Sequence, residues 1–298
     1  MIRSIDVFGH IAFDYICRVG ELPEKNRSTR ITEMGRFFGG GAANVSAVIA
    51  SLGGKPRLFS VAGEDFISSG YASHLSSLGV DISNVRILEG MSAHAFIFNS
   101  SKGEQITFFY WGVSKRMGEL EIPDDLEFVH IATGDAEVNK RIACFSDFLS
   151  FDAGQDIYGY DRSDILEILK FTNILFANEH EMEFIKERCG MSEREISEMV
   201  DVLVITLGER GSRVISGKDE IFVPSLRVNA IDPTGAGDAY KGGFLYAYLS
   251  GGSLRDAAET GTVCASFIVE SLGSQTRLPR KEDVEERRKI LRESLHEI

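Results

Sequence analysis

The chain alternates short apolar runs with amphipathic stretches, and this alternation restricts the possible folds more than any other feature. Ile2–Phe8 reads as a strand. Ala42–Leu52 reads as a helix, with Val45, Val48, Ile49 and Leu52 at i, i+3, i+4 and i+7. Gly53 suits the position just past its end. Leu58–Ala62, Phe128–Ala132, Phe151–Ala153, Ile174–Phe176 and Val202–Thr206 read as further strands, and Ser68–Leu78 and Val138–Leu149 as helices. Short strands parted by helices imply a mainly parallel sheet in an α/β fold, covered by helices on both faces. Ser253 to Asp256 has a capping-box pattern and opens a helix from Ala257 to Glu270. The charged tail after Pro279 reads as a solvated helix.

Two regions break the alternation. Phe13 to Phe37 reads as a strand pair around Leu22-Pro23-Glu24. Ala93 to Trp111 reads as a hairpin, with Ala95–Asn99 and Gln105–Tyr110 joined by a turn at Ser100–Gly103. Neither has a helix to cover it, so a small sheet standing off the main one is expected. The whole chain, 1–298, reads as one α/β domain carrying a β-lid built from about 13–37 and 93–112.

Composition removes several function classes. The formal net charge is −13, which argues against a broad nucleic-acid-binding face. No stretch approaches the ~18 apolar residues that span a bilayer, and the N-terminus shows no signal peptide. A cytoplasmic protein is expected. Cys17, Cys144, Cys189 and Cys264 are widely separated, so free buried thiols are expected rather than a zinc site. His10, His94, His130 and His180 show no metal spacing. There is no Walker-type phosphate loop, no dinucleotide-binding G-x-G-x-x-G after the first strand, and no nucleophile elbow.

The string Asp232-Pro233-Thr234-Gly235-Ala236-Gly237-Asp238 lies between an extended segment, Ile221 to Val228, and a helical one, Ala239 to Ser250. Its glycines permit a sharp turn. The amides of Gly235, Ala236 and Gly237 would lie at a helix N-terminus, where free N–H groups and the helix dipole favour a phosphate. Asp238 would repel that phosphate unless it removes a proton from the attacking group. Phe38-Gly39-Gly40-Gly41-Ala42-Ala43-Asn44 is a second glycine turn before a helix. Asn44 there offers a donor and an acceptor to a hydroxyl. Asp14, just beyond the first strand, could grip two vicinal hydroxyls or serve as a loop residue or cap.

Asn178 and Glu181 share a face at a helix start; alone, that pattern equally describes a capped, solvated helix end. Thr206-Leu207-Gly208-Glu209-Arg210-Gly211 is a glycine turn after another strand. In Gln105 to Gly112, Phe109 and Trp111 point together, as do Phe108 and Tyr110. One face could stack on a planar base, or pack lid against lid in a dimer core.

The 232–238 and 38–44 strings, with Leu52-Gly53-Gly54 and Val61 to Asp65, resemble the ribokinase-like, PfkB-type family of sugar and nucleoside kinases. Gln105–Trp111, His130–Asp135 and Phe151–Gln155 look like the archaeal-type nucleoside kinases of that family. The resemblance implies a ribokinase-like fold with a β-lid, ATP and Mg²⁺ as cofactors, and a homodimer formed through the lid. It assigns Asp14, Gly40, Gly41 and Asn44 to the acceptor sugar and Asp238 to the base. Asn178 and Glu181 fall to Mg²⁺ and phosphate, largely through water, and Asn178 also to ATP. Thr206, Gly208, Gly211 and Gly237 fall to ATP. Val269 to Gly273 fall to the adenine pocket and a K⁺ loop near Asp232. The expected reaction is phosphoryl transfer to the 5′-hydroxyl of a ribonucleoside. Alternatives are a kinase for a sugar or sugar phosphate, with Arg27, Arg30 and Arg36 as candidate phosphate ligands, and a non-catalytic nucleoside sensor.

Overall fold

The computed structural model describes residues 4–124 and 126–296. Ile2 and Arg3 of the first expected strand lie outside them. Strands are numbered along the chain: β1 Ser4–Phe8, β2 Ala12–Val19, β3 Ile31–Gly39, β4 Lys55–Gly63, β5 Val85–Leu88, β6 Ala93–Ser100 and β7 Gln105–Tyr110. They continue with β8 Leu126–Ile131, β9 Ser146–Phe151, β10 Thr172–Asn178, β11 Val202–Thr206, β12 Ser212–Ser216 and β13 Asp219–Val223. The helices are α1 Gly41–Ser51, α2 Glu64–Ser68, α3 Tyr71–Leu78, α4 Ala136–Ala143 and α5 Arg162–Leu169. They end with α6 Glu179–Cys189, α7 Glu193–Ser197, α8 Ala236–Leu249, α9 Leu254–Ile268 and α10 Lys281–His296.

Nine strands form one sheet in the order β13-β12-β11-β10-β9-β8-β1-β4-β5. From β11 to β5 every pairing is parallel, and β12 and β13 add an antiparallel edge. The alternating side chains of each strand divide between two cores. Val7, Phe176 and Val204 pack with α1, α8 and α9. Phe8, Leu175 and Leu203 pack with α4, α5 and α6. This is the ribokinase-like α/β arrangement, with helices on both faces of the sheet. Among the described residues no helix is long and apolar enough to cross a membrane.

The second sheet has four strands in the order β3-β2-β6-β7. Its two hairpin-like halves are antiparallel, and β2 and β6 join them as a parallel pair. The chain leaves the main sheet after β1 and again after β5 to build it.

Several local expectations change. The single helix over Ser68–Leu78 is two short helices, because Gly70 takes φ +84° between them. The helix over Val138–Leu149 stops at Ala143, and Ser146–Leu149 belong to β9 in register with β8. Extended structure after Ile221 ends at Val223. The last helix is docked rather than freely solvated: Val284 and Leu291 are buried, and Arg288 and Arg292 pair with Asp256 and Glu259 of α9. Cys144 is exposed, whereas the other three cysteines are buried.

Candidate active site

Parallel strands bring their carboxyl ends to one edge, which is where open α/β sheets bind ligands. His10 lies just past β1, Asp152 just past β9, and Asn178 and Thr206 close β10 and β11. Helix α8 starts at the same edge. Its N-cap, Gly235, has φ +80°, and a Cβ there would sit 2.4 Å from Ser274. Only glycine fits both demands. One expected donor is spent locally, because Ala236 N–H bonds the Pro233 carbonyl at 3.1 Å, closing the turn on itself. The amides of Gly235 and Gly237 carry no such backbone bond among the described residues.

On one side of this helix start lie the acceptor residues expected from the sequence. Asn44 Nδ2 donates to Asp238 Oδ2 at 2.9 Å. Gln275 Nε2 donates to Asn44 Oδ1 at 2.8 Å and to the Tyr71 hydroxyl at 2.6 Å, so the Asn44 amide is fixed from behind. Gly40 has φ +97°, and a Cβ on it would meet the His10 carbonyl at 2.5 Å. The glycine turn therefore closes directly onto the chain leaving β1. Asp14 is buried against Gly39. Burial, with Asp238 and Asp232 nearby, pushes its carboxyl up to about 7.

The small sheet supplies the wall. Phe37, Asp14, Ala95 and Phe109 are register partners and form one row across its inner face. The Phe109 and Trp111 rings approach His10 at centroid distances of 5.1 and 4.6 Å. His10 Nε2 lies 3.2 Å from Asp156 Oδ2. Phe108 and Tyr110 are on the outer face with Phe96 and His94, as strand alternation requires.

On the other side of the helix start is a cleft of about 810 Å³ whose lining includes Asn178, Glu181, Thr206, Gly208, Gly211, Gly237 and Val269. Gly208 has φ +59° and open space where a Cβ would be. Gly211 has φ +113°, and its missing Cβ would strike the Val223 carbonyl at 2.1 Å.

Asn178 and Glu181 form a reciprocal capping box at 2.8 and 2.9 Å. Unlike an ordinary solvated cap, Glu181 is only 6 % exposed. Burial, then the nearby Asp152 carboxylate, pushes it up to about 7. Such a carboxylate suits a cation held mainly by phosphates and water, which is the habit of Mg²⁺. No cluster of three His, Cys, Asp or Glu side chains able to hold a metal occurs among the described residues. Asp232 is buried, and its oxygens accept from Thr234 N, Thr234 Oγ1 and Gly273 N.

Lys241, Asp152 and Gln275 were not identifiable from the motifs. Lys241 Nζ bonds Asp152 Oδ2 and lies 3.4 Å from Asp238 Oδ1. The one available signal was a lysine placed i+3 from Asp238, on the same face of an otherwise apolar helix.

Known proteins match this arrangement over nearly its full length. The chain matches the pfkB family carbohydrate kinase over residues 2–281. It is 40% identical over 291 residues to a nucleoside kinase of Methanocaldococcus jannaschii, covering 96% of each chain. The crystal structure of Methanocaldococcus jannaschii nucleoside kinase superimposes with a TM-score of 0.90 at 39% identity, over 97% of this chain and 99% of that one. The structure of Burkholderia thailandensis nucleoside kinase in complex with inosine gives 0.89 at 26% identity, over 97% and 98%. The shared fold and the family match over residues 2–281 lead to one conclusion: the chain belongs to the pfkB family of carbohydrate kinases.

Proposed function

We propose that this enzyme transfers the γ-phosphoryl group of ATP to the 5′-hydroxyl of a ribonucleoside. One observation carries the choice of acceptor: the inner-face row that sets Asp14 and Phe109 two strands apart. Adjacent strands lie about 4.8 Å apart, so the two residues are separated by roughly 10 Å. That span suits a ribose gripped at its diol by Asp14 and a base lying over the small Ala95 against Phe109 and Trp111. The relatives named as nucleoside kinases support the same acceptor.

In this reading Asp14, Asn44 and the Gly40–Gly41 backbone hold the ribose. Asp238 takes the proton of the 5′-hydroxyl as its oxygen bonds the γ-phosphorus and the bond to ADP breaks. The Gly235 and Gly237 amides receive the charge on the phosphoryl oxygens. Thr206, Gly208 and Gly211 let backbone approach the nucleotide. Mg²⁺, when bound, neutralises phosphate charge, and Asn178 and Glu181 would hold its water shell. Asp232 retains lone pairs for a monovalent cation; exchanging Na⁺ for K⁺ in the assay tests that role. A cytoplasmic enzyme supplied with ATP fits this chemistry.

A sugar-phosphate acceptor fits less well. Arg36 pairs with Tyr15 on the outer face and stacks on Phe13 at 4.0 Å, and Arg27 is exposed beside Glu24. That outer face exposes Phe96, Ile106, Phe108 and Tyr110. We assign it to a homodimer contact made face to face through the lid; Phe108→Asp should convert the dimer to a monomer in sedimentation. ADP release with ATP and Mg²⁺ against nucleosides, ribose, fructose and fructose 6-phosphate tests the function. Turnover on nucleosides alone is expected, and turnover only on sugars would overturn it.

A further inference from the structure

Lys241 sits at the junction of the two halves of the site. Its side chain is 12% exposed, and its anchor Asp152 is 2% exposed. A Cβ built on Gly237 would lie 3.8 Å from its Nζ, so the ammonium overhangs the first turn of α8. It also lines the large cleft together with Gly237 and Glu181.

An ammonium has three N–H donors. Asp152 takes one and Asp238 faces a second, which leaves the third for a ligand. A buried ion pair is poor value as a stabilising device, because desolvation offsets most of its Coulomb gain. An apolar residue here would spare α8 that cost.

We propose that Lys241, positioned by Asp152, is a catalytic residue that contacts the phosphoryl group as it crosses from ATP to the acceptor. The proposal rests on the kinase reading above. Before transfer, the ammonium balances the carboxylates crowded around it: Asp152, Asp238 and Glu181. Burial alone would lower the Lys241 ammonium, but these neighbours outweigh it and hold the group well above its ordinary range. It therefore stays charged throughout the reaction. Charge on a transferring phosphoryl group spreads over three equatorial oxygens. The Gly235 and Gly237 amides meet it from the helix side, and Lys241 meets it from the cleft side.

The test compares transition-state and ground-state binding in Lys241→Met, Lys241→Arg and the neutral pair Asp152→Asn/Lys241→Met. The neutral pair removes the ammonium together with the buried carboxylate that anchors it, so it keeps the test available if Lys241→Met fails to fold. Removing such a donor typically costs about 10²–10³ in kcat. We expect that loss in Lys241→Met and in the neutral pair, with KM for the nucleoside changed less than threefold, about half a decade. Lys241→Arg should recover at least part of kcat. Calorimetry with ADP, Mg²⁺, aluminium fluoride and nucleoside should show the analogue complex weakened far more than the complex lacking fluoride. Equal weakening of both complexes, or a kcat within threefold of the parent enzyme, overturns the proposal. If the parent enzyme phosphorylates no nucleoside, the failure belongs to the kinase reading and not to Lys241.

Discussion

The two halves of the cleft are built differently. The half proposed for the acceptor depends, beyond its Gly40–Gly41 turn, on side chains: Asp14, Asn44, Asp238, Gln275 and Phe109 come from β2, α1, α8, the segment after α9, and β7. The half proposed for the nucleotide depends mainly on backbone: Gly208 and Gly211 adopt positive φ, and Gly235 caps α8. An acceptor must be distinguished from similar molecules, which requires placed polar groups and ring faces. A triphosphate is gripped by amides that any sequence supplies once the turn is shaped. Side-chain replacements should therefore damage the acceptor half, and added Cβ atoms the nucleotide half.

The strongest way to break this contrast is Asp238→Asn. Loss of a general base costs about 10²–10⁴-fold in kcat, and nucleoside binding should change little. Near-normal turnover would remove Asp238 from the chemistry.

Asp14→Asn should come next. Two hydroxyl donors to a carboxylate are worth about 1.5–3 kcal/mol each, so acceptor KM should rise roughly tenfold or more, with ATP KM unaffected. The pH dependence sharpens the assignment. The protonated carboxyl gives up an acceptor position, so the parent acceptor KM should climb as pH falls below about 7. In Asp14→Asn that climb should disappear. Stability runs the opposite way. The folded carboxyl holds its proton up to about 7 and the unfolded one releases it near 3.8, so stability declines as pH rises between those values. Thermal melts at pH 5 and pH 8 should show Asp14→Asn gaining more on the parent at pH 8 than at pH 5.

Phe109→Ala should raise nucleoside KM by the worth of one base–aromatic contact, ~1–3 kcal/mol. A free sugar should be affected much less, and an equal effect on both would make Phe109 a packing residue. Gly208→Ala should be mildest. There is room for its Cβ, so only left-handed strain of about 1–2 kcal/mol applies. The effect should appear in ATP KM and leave the acceptor KM alone.

The same contrast explains what was legible in the sequence. Local strings report local geometry, so the 232–238 and 38–44 turns could be placed and given chemistry from their glycines. The parallel core was legible for the same reason, from apolar runs such as Val202–Thr206, which matches β11 residue for residue. Where neighbouring signals overlap, local pattern misleads: Ser146–Leu149 continue the helical period of α4, yet pairing with β8 wins them for the sheet. Lys241 and Gln275 were illegible because their meaning lies in partners 89 and 231 residues away, Asp152 and Asn44. The α10 tail looked solvated because its charges dominate, while Val284 and Leu291, which dock it, are sparse.

The parallel seam between β2 and β6 carries a consequence for substrate choice. Hydrogen bonds along the seam weld two separate excursions of the chain into one plate. The proposed diol grip on β2 and the proposed ring wall on β7 then belong to one hydrogen-bonded sheet. A tilt of that sheet as a unit would change how tightly a guest is enclosed but leave the spacing between the two positions untouched. If Asp14 and Phe109 hold the acceptor as proposed, the enzyme measures the length of its guest independently of how far the site shuts, and a molecule that is too short should be rejected even when fully enclosed.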